Sequence, residues 1–128
     1  MIAALRGILG DRVSTSDAVR DHHSHGESWH AAGLPDVVVF PASTDEVAAI
    51  VRICAQHHTP IVPFGMGSSL EGHVNAIRGG VSIDMTRMTK VLRLSQEDLD
   101  ISVEAGLTRL KLRSEEHTSE LQSRQYLV

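Results

Sequence analysis

The stretch from Val37 to Phe64, VVVFPASTDEVAAIVRICAQHHTPIVPF, decides how the chain is to be read. Val37 to Phe40 is a continuous apolar run, the pattern of a strand buried on both faces, and Pro41 ends it. Ser43 then stands where a helix cap belongs, and Glu46 three residues later completes a capping box. Asp45 adds negative charge at the positive end of the helix dipole. Val47, Ile50, Val51 and Cys54 follow at i, i+3, i+4 and i+7, one apolar stripe on one face. His57 and His58 close the helix and Pro60 forbids its continuation. Ile61 to Phe64 is a second short apolar strand. Strand, helix and strand within about 30 residues make a βαβ unit. The spacing therefore predicts two adjacent parallel strands, with Ser43–His57 as a right-handed crossover.

On the N-terminal side, Ile2, Leu5, Ile8 and Leu9 sit at helical spacing, and Gly10 and Asp11 end that short helix. Residues 14–34 are polar, with Trp29 as the only large apolar anchor, and read as a loop lying on the body formed later. His22, His23, His25 and His30 have no recognised zinc spacing and no cysteine beside them, so they read as part of a solvated loop and no metal site is expected. On the C-terminal side, Val81, Ile83 and Met85 alternate with polar neighbours, which predicts a strand with one wet face. Val91–Leu94 and Ile101–Val103 are two further strands about the acidic turn Gln96-Glu97-Asp98. Gly106 and Thr108 mark a turn and a new helix cap. Cys54, on the apolar stripe, reads as a core thiol rather than a nucleophile.

At 128 residues the chain makes one domain at most, and 41% apolar with 22% charged residues is ordinary for a globular protein. No apolar run approaches the ~18 residues of a transmembrane helix. Met1 to Leu9 is interrupted by Arg6 and Gly7 and lacks a cleavage signature, so no secretory signal is read. One cysteine allows no internal disulfide and fits a reducing compartment, with the cytoplasm as the expected location. A net charge of −4 and only 3% aromatic residues give no footprint for a nucleic-acid partner.

The chemistry lies in Pro63-Phe64-Gly65-Met66-Gly67-Ser68-Ser69-Leu70-Glu71-Gly72-His73, at the C-terminal end of a parallel strand, where open α/β sheets bind ligands. Gly65 and Gly67 permit positive φ and close backbone approach. Successive N–H groups in such a turn make a concave nest for phosphate oxygens. Ser68 and Ser69 add hydroxyls, and with no lysine in the loop a phosphate here is held by neutral donors. A Walker loop needs Gly-Lys-Ser/Thr where Gly67-Ser68-Ser69 stands. A Rossmann fingerprint needs a third glycine where Leu70 stands. Residues alone leave two readings open, a phosphate cradle and a plain glycine-rich turn. Glu71 and His73 read as shaping the loop rather than as an acid–base pair.

Asp36 to Pro41, Ser43 to Val51, Pro63 to Asn75, and Gly80 to Met85 with Arg87-Met88 fall in an order that resembles one family. It is the FAD-binding domain of flavoprotein oxidoreductases related to vanillyl-alcohol oxidase and p-cresol methylhydroxylase, in the D-lactate dehydrogenase and glycolate oxidase branch. Glu104-Ala105-Gly106-Leu107-Thr108 is similar to that branch's Glu-Pro-Gly-Val-Thr turn, with Ala105 departing from proline. The resemblance runs from about Arg20 to Leu112. It implies an α+β fold, the first half of a p-cresol-methylhydroxylase-type domain, with short, mostly parallel strands flanked by helices. It implies FAD as cofactor, with the backbones of Gly65, Met66, Gly67, Ser68 and Ser69 on the pyrophosphate and Gly72 close to the flavin. His73 follows in the same motif, and this branch holds FAD without a covalent link. The parent is then an oxidoreductase acting on a small D-2-hydroxy acid, its electron acceptor unassigned. Its catalytic residues lie beyond this segment, and the segment alone is inactive. The alternative is a small non-catalytic module binding a phosphate or nucleotide.

The organisation expected is an N-terminal helix and approach loop over 1–34, a partial FAD-binding domain over 35–112, and a tail over 113–128. The tail opens Arg-Ser-Glu-Glu-His-Thr-Ser-Glu-Leu-Gln-Ser from Arg113. It breaks the family pattern in mid-helix and is similar to the translation of a sequencing-adapter oligonucleotide, so it reads as non-native.

Overall fold

The computed structural model describes residues 1–114; the tail reading falls on residues 113–128, all but the first two of which lie outside the described residues. The elements run α1 (Ile2–Leu9), a 3-10 turn (Gly10–Arg12), β1 (Val13–Ser14), α2 (Asp17–His22), β2 (Val37–Val39) and α3 (Thr44–Gln56). They continue with β3 (Ile61–Phe64), β4 (Val81–Asp84), β5 (Val91–Ser95) and β6 (Asp100–Val103). The chain divides into two units, Met1–Arg87 and Met88–Val128.

In the first unit four strands form one sheet in the order β1-β2-β4-β3. β2 and β3 are both parallel to β4, and β1 runs antiparallel to β2. The predicted strands and helix are present and the two strands are parallel, but they are not adjacent, because β4 inserts between them. Three features explain the order. Pro63 has no N–H to give to a ladder and is tolerated on an outer strand, and β3 is that strand. Val81 to Asp84 are all buried, so the expected wet face of β4 is absent: Ser82 is fully buried and Asp84 is 5% exposed. At the start of the parallel pair Gly80 (φ 89°) lies so close to β3 that a Cβ would sit 2.3 Å from the Pro60 carbonyl oxygen.

The core fills one face of this sheet. Leu5 and Leu9 of α1, and Ile50 and Cys54 of α3, pack with Val13, Val37, Val39, Val81 and Ile83. A fully buried side chain of this size contributes about 1.5–3 kcal/mol. The stripe on α3 is turned from the expected one: Ile53 packs against the core, whereas Val51 is 41% exposed. The predicted cap forms, with Ser43 Oγ accepting from the Glu46 N–H at 3.2 Å. The Glu46 carboxylate reaches one residue further back than in a capping box, to the Ala42 N–H at 2.8 Å, and forks onto the Arg12 guanidinium. Residues 14–34 also differ from the expected plain loop. They hold part of β1 and all of α2, and Trp29 anchors nothing, being 89% exposed.

In the second unit β5 and β6 form an antiparallel pair around the acidic turn, with an irregularity between Val91 and Arg93. Leu99 takes a positive φ of 56° there. Thr108 Oγ1 accepts from the Lys111 N–H at 3.1 Å, the expected cap, and residues 109–114 are helical. No helix among the described residues is long and apolar enough to cross a membrane.

Candidate functional site

The glycine loop leaves β3 at Phe64, whose buried ring forms its floor. A Cβ on Gly67 would lie 2.7 Å from Phe64 Cζ, and Gly67 has φ 70°, so only glycine fits. Gly72 is constrained likewise, with φ 79° and His30 Cδ2 2.7 Å from the position a Cβ would take. Gly65, expected to use positive φ, does not, and a Cβ there would meet nothing within 4 Å. Its value is open space above the loop rather than backbone freedom. Met66 and Leu70 are both 70% exposed. Ser69 Oγ and His73 Nδ1 are 3.1 Å apart, so these two residues are joined to each other.

None of the backbone N–H groups from Gly65 to His73 donates a hydrogen bond within the described residues. A buried or half-buried amide without a partner costs free energy until water or a ligand supplies an acceptor. Of these nine residues Gly65, Gly67, Ser69 and Gly72 are half-buried and the other five are exposed; a run of such donors, on a loop at the C-terminal end of a parallel strand, suits a ligand rich in anionic oxygens. The donor set fits a diphosphate.

The sequence predicts a loop lying on the body, and residues 24–33 do lie on it, but the sequence does not show that they wall the glycine loop. Residues 24–33 run along the loop and are held there by backbone bonds: Glu27 N–H to Ser69 carbonyl at 3.1 Å, and Ala76 N–H to Gly33 carbonyl at 3.1 Å. Asn75 Nδ2 donates to the Ala31 carbonyl at 2.8 Å, and its buried Oδ1 has no partner. A Cβ on Gly26 would fall 3.0–3.1 Å from the carbonyls of Ser69 and Gly67. Between wall and loop lies a cavity of about 420 Å³, lined by His22, His25, Gly26, Glu27, Phe64 and Gly67 among others.

Beneath the wall, His23 is not solvated as expected but 3% exposed, with its ring 4.5 Å from that of Phe64. Its Nδ1 lies 2.7 Å from the Val19 carbonyl oxygen and its Nε2 2.6 Å from Asp84 Oδ2. Both partners only accept, so both ring nitrogens must carry protons and the ring is an imidazolium. Burial alone would lower its pKa, but the Asp84 carboxylate and the Val19 carbonyl more than reverse this and hold it above the ordinary value. Burial likewise pushes Asp84 up, and the bonds from His23 and Thr86 outweigh it, leaving the carboxyl below its usual value. Burial raises the Cys54 thiol, which keeps it inert.

This fold and this loop have known counterparts. The family profile described as "FAD binding domain" matches residues 35–121, and the chain belongs to that family, with FAD as its cofactor. Among curated proteins it is 46% identical over 115 residues to a probable mitochondrial D-lactate dehydrogenase of Danio rerio, covering 89% of this chain and 23% of that protein. It is 33% identical over 102 residues to glycolate oxidase subunit GlcD of Bacillus subtilis, covering 80% of this chain and 22% of that protein. The structure of p-cresol methylhydroxylase with substrate bound superposes with a TM-score of 0.82 at 22% identity, over 94% of this chain and 24% of that one, a likeness that shows the fold. The α+β, p-cresol-methylhydroxylase-type architecture expected from the sequence is the one observed. The chain spans less than a quarter of the length of these relatives.

Proposed function

We propose that the chain is the pyrophosphate-holding part of an FAD-dependent oxidoreductase whose parent oxidises a small D-2-hydroxy acid of the lactate or glycolate type. The observation that carries this reading is the run of unpartnered N–H groups from Gly65 to His73. The backbones of Gly65, Met66, Gly67, Ser68 and Ser69 hold the two phosphates, Gly72 lets the flavin end approach, and His73 orients Ser69 without a covalent flavin link. Bound FAD supplies the two-electron acceptor for the hydride leaving C2 of the hydroxy acid. This chain's residues bind and orient, and the segment alone turns over no substrate. Family membership favours this reading over a free-standing phosphate-binding module. The cytoplasm is the compartment we propose from the single buried cysteine; the Danio rerio relative is named as mitochondrial.

Gly65 supplies the test. Its Cβ position is empty and its φ is not positive, so Gly65→Val leaves the fold unstrained while filling the space the pyrophosphate needs. In the full-length parent it abolishes flavin absorbance after desalting, while the melting temperature equals that of the wild-type protein stripped of FAD. Gly67→Val costs stability as well, because it meets Phe64. Ser69→Ala removes one neutral bond of roughly 0.5–1.5 kcal/mol, so FAD affinity falls about tenfold or less. Yellow Gly65→Val protein would place the pyrophosphate elsewhere.

A further inference from the structure

A diphosphate diester carries two negative charges, yet residues 65–73 hold no lysine or arginine. The wall opposite supplies what the loop lacks. We propose that His25, with His22 beside it, is a titratable anion contact of this site, closing over the diphosphate from residues that lie outside the matched family segment of 35–121. The proposal rests on the loop reading above.

Three observations carry it. His22 and His25 line the same cavity of about 420 Å³ as Phe64, Met66 and Gly67, so the wall and the first turn of the loop border one space. The wall is bonded to the loop, through Glu27 N–H to the Ser69 carbonyl, rather than passing near it. The third is the proton arrangement of His25. Ser24 Oγ gives its only proton to the Asp21 carbonyl at 2.6 Å. It can then only accept from His25 Nδ1, 3.0 Å away, which fixes the N–H on Nδ1. Nε2 is left as the nitrogen that takes up a proton and becomes a charged donor.

The surrounding charges set the sign. Among the described residues the ionisable side chains lining this cavity are His22, His25 and Glu27. Glu27 opposes an anion. The His23–Asp84 pair touches the same Phe64 ring but is satisfied within itself. Imidazole changes charge between about pH 5 and 8, whereas a diphosphate diester keeps its charge over that range. Diphosphate binding therefore tightens as the pH falls; the loop carries Glu71 and a further imidazole, His73, bonded to Ser69, so the wall's share is the part that His73→Gln leaves in place.

The test uses this chain, ¹⁵N-labelled, titrated with FAD, with ADP-ribose as a second diphosphate diester and with riboflavin, which has no phosphate. Affinity for FAD and for ADP-ribose is expected to be about tenfold higher at about pH 5.5 than at about pH 8, the size of one charge-assisted contact. In a His73→Gln background, His25→Gln removes most of that difference, the double variant His22→Gln/His25→Gln removes all of it, and Glu27→Gln tightens binding at both pH values. Amide shifts confined to residues 65–73 with no pH difference, or a pH difference that survives the double variant, overturn the proposal and leave the loop reading standing. Loop amides unmoved by FAD and ADP-ribose at both pH values overturn the loop reading and the proposal together. Riboflavin binding as tightly as FAD overturns the proposal, because recognition would then lie in the ring.

Discussion

Two ion pairs tie the N-terminal segment to the body of the sheet, and their surroundings differ. Arg12–Glu46 joins the 3-10 turn to the start of α3 with side chains 26% and 22% exposed. His23–Asp84 joins the end of α2 to the central strand with side chains 4% and 7% exposed. If Arg12 loses its partner, water replaces it, and Glu46 keeps the Ala42 N–H. If His23 loses its partner, a donor that is almost fully buried is stranded beside Phe64 and Phe40. The exposed pair adds a small increment of stability. The buried pair is a requirement of the packing, and its worth shows mainly in what its loss leaves behind.

That contrast can be broken by mutation. Asp84→Ala leaves His23 Nε2 and the Thr86 donors without an acceptor, while His23 Nδ1 keeps the Val19 carbonyl, and breaking one side of a buried pair costs about 3–5 kcal/mol. Urea denaturation should show the midpoint collapse, and a loss no larger than that of Arg12→Ala would erase the distinction. A pH series sharpens it. His23 is held above its ordinary 6.5, so its stabilisation is complete below that value and is lost as the pH rises through the raised one. Asp84 is held below its ordinary 3.8, so its stabilisation is present above that value and is lost as the pH falls through the lowered one. Stability from the pair is therefore greatest between the two ordinary values. On the alkaline side the neutral ring keeps one of its two bonds, a loss of about 1.5–3 kcal/mol. The alkaline decline in the urea midpoint should vanish in His23→Phe; its persistence there would assign it to another group. The smallest effect is that of Arg12→Ala, about 1 kcal/mol and reduced by added salt. Calorimetry at low and high salt checks it.

Legibility in the sequence followed the distance between partners. Ser43 and Glu46 are three residues apart and their cap was plain, as was the glycine loop within its own eleven residues. The order of the strands was not, because Ser82 and Asp84 look like a wet face until Asp84 meets His23, 61 residues away. The wall escaped for the same reason: Asn75 binds Ala31 across 44 residues, and residues 24–33 carry neither period nor apolar stripe. Gly65 and Gly67 looked equivalent in sequence, and only the fold separates open space from positive φ.

Trp29 is the only tryptophan, stacks on His30 at 4.6 Å, and His30 in turn covers Gly72. The indole is thus a spectroscopic probe already attached to the wall at the Gly72 end of the loop. Being 89% exposed, it emits near the wavelength of free indole, so melting of the sheet scarcely shifts its maximum. A ring that displaces His30 from Gly72 changes its intensity instead, which lets ligand arrival be followed by fluorescence separately from unfolding.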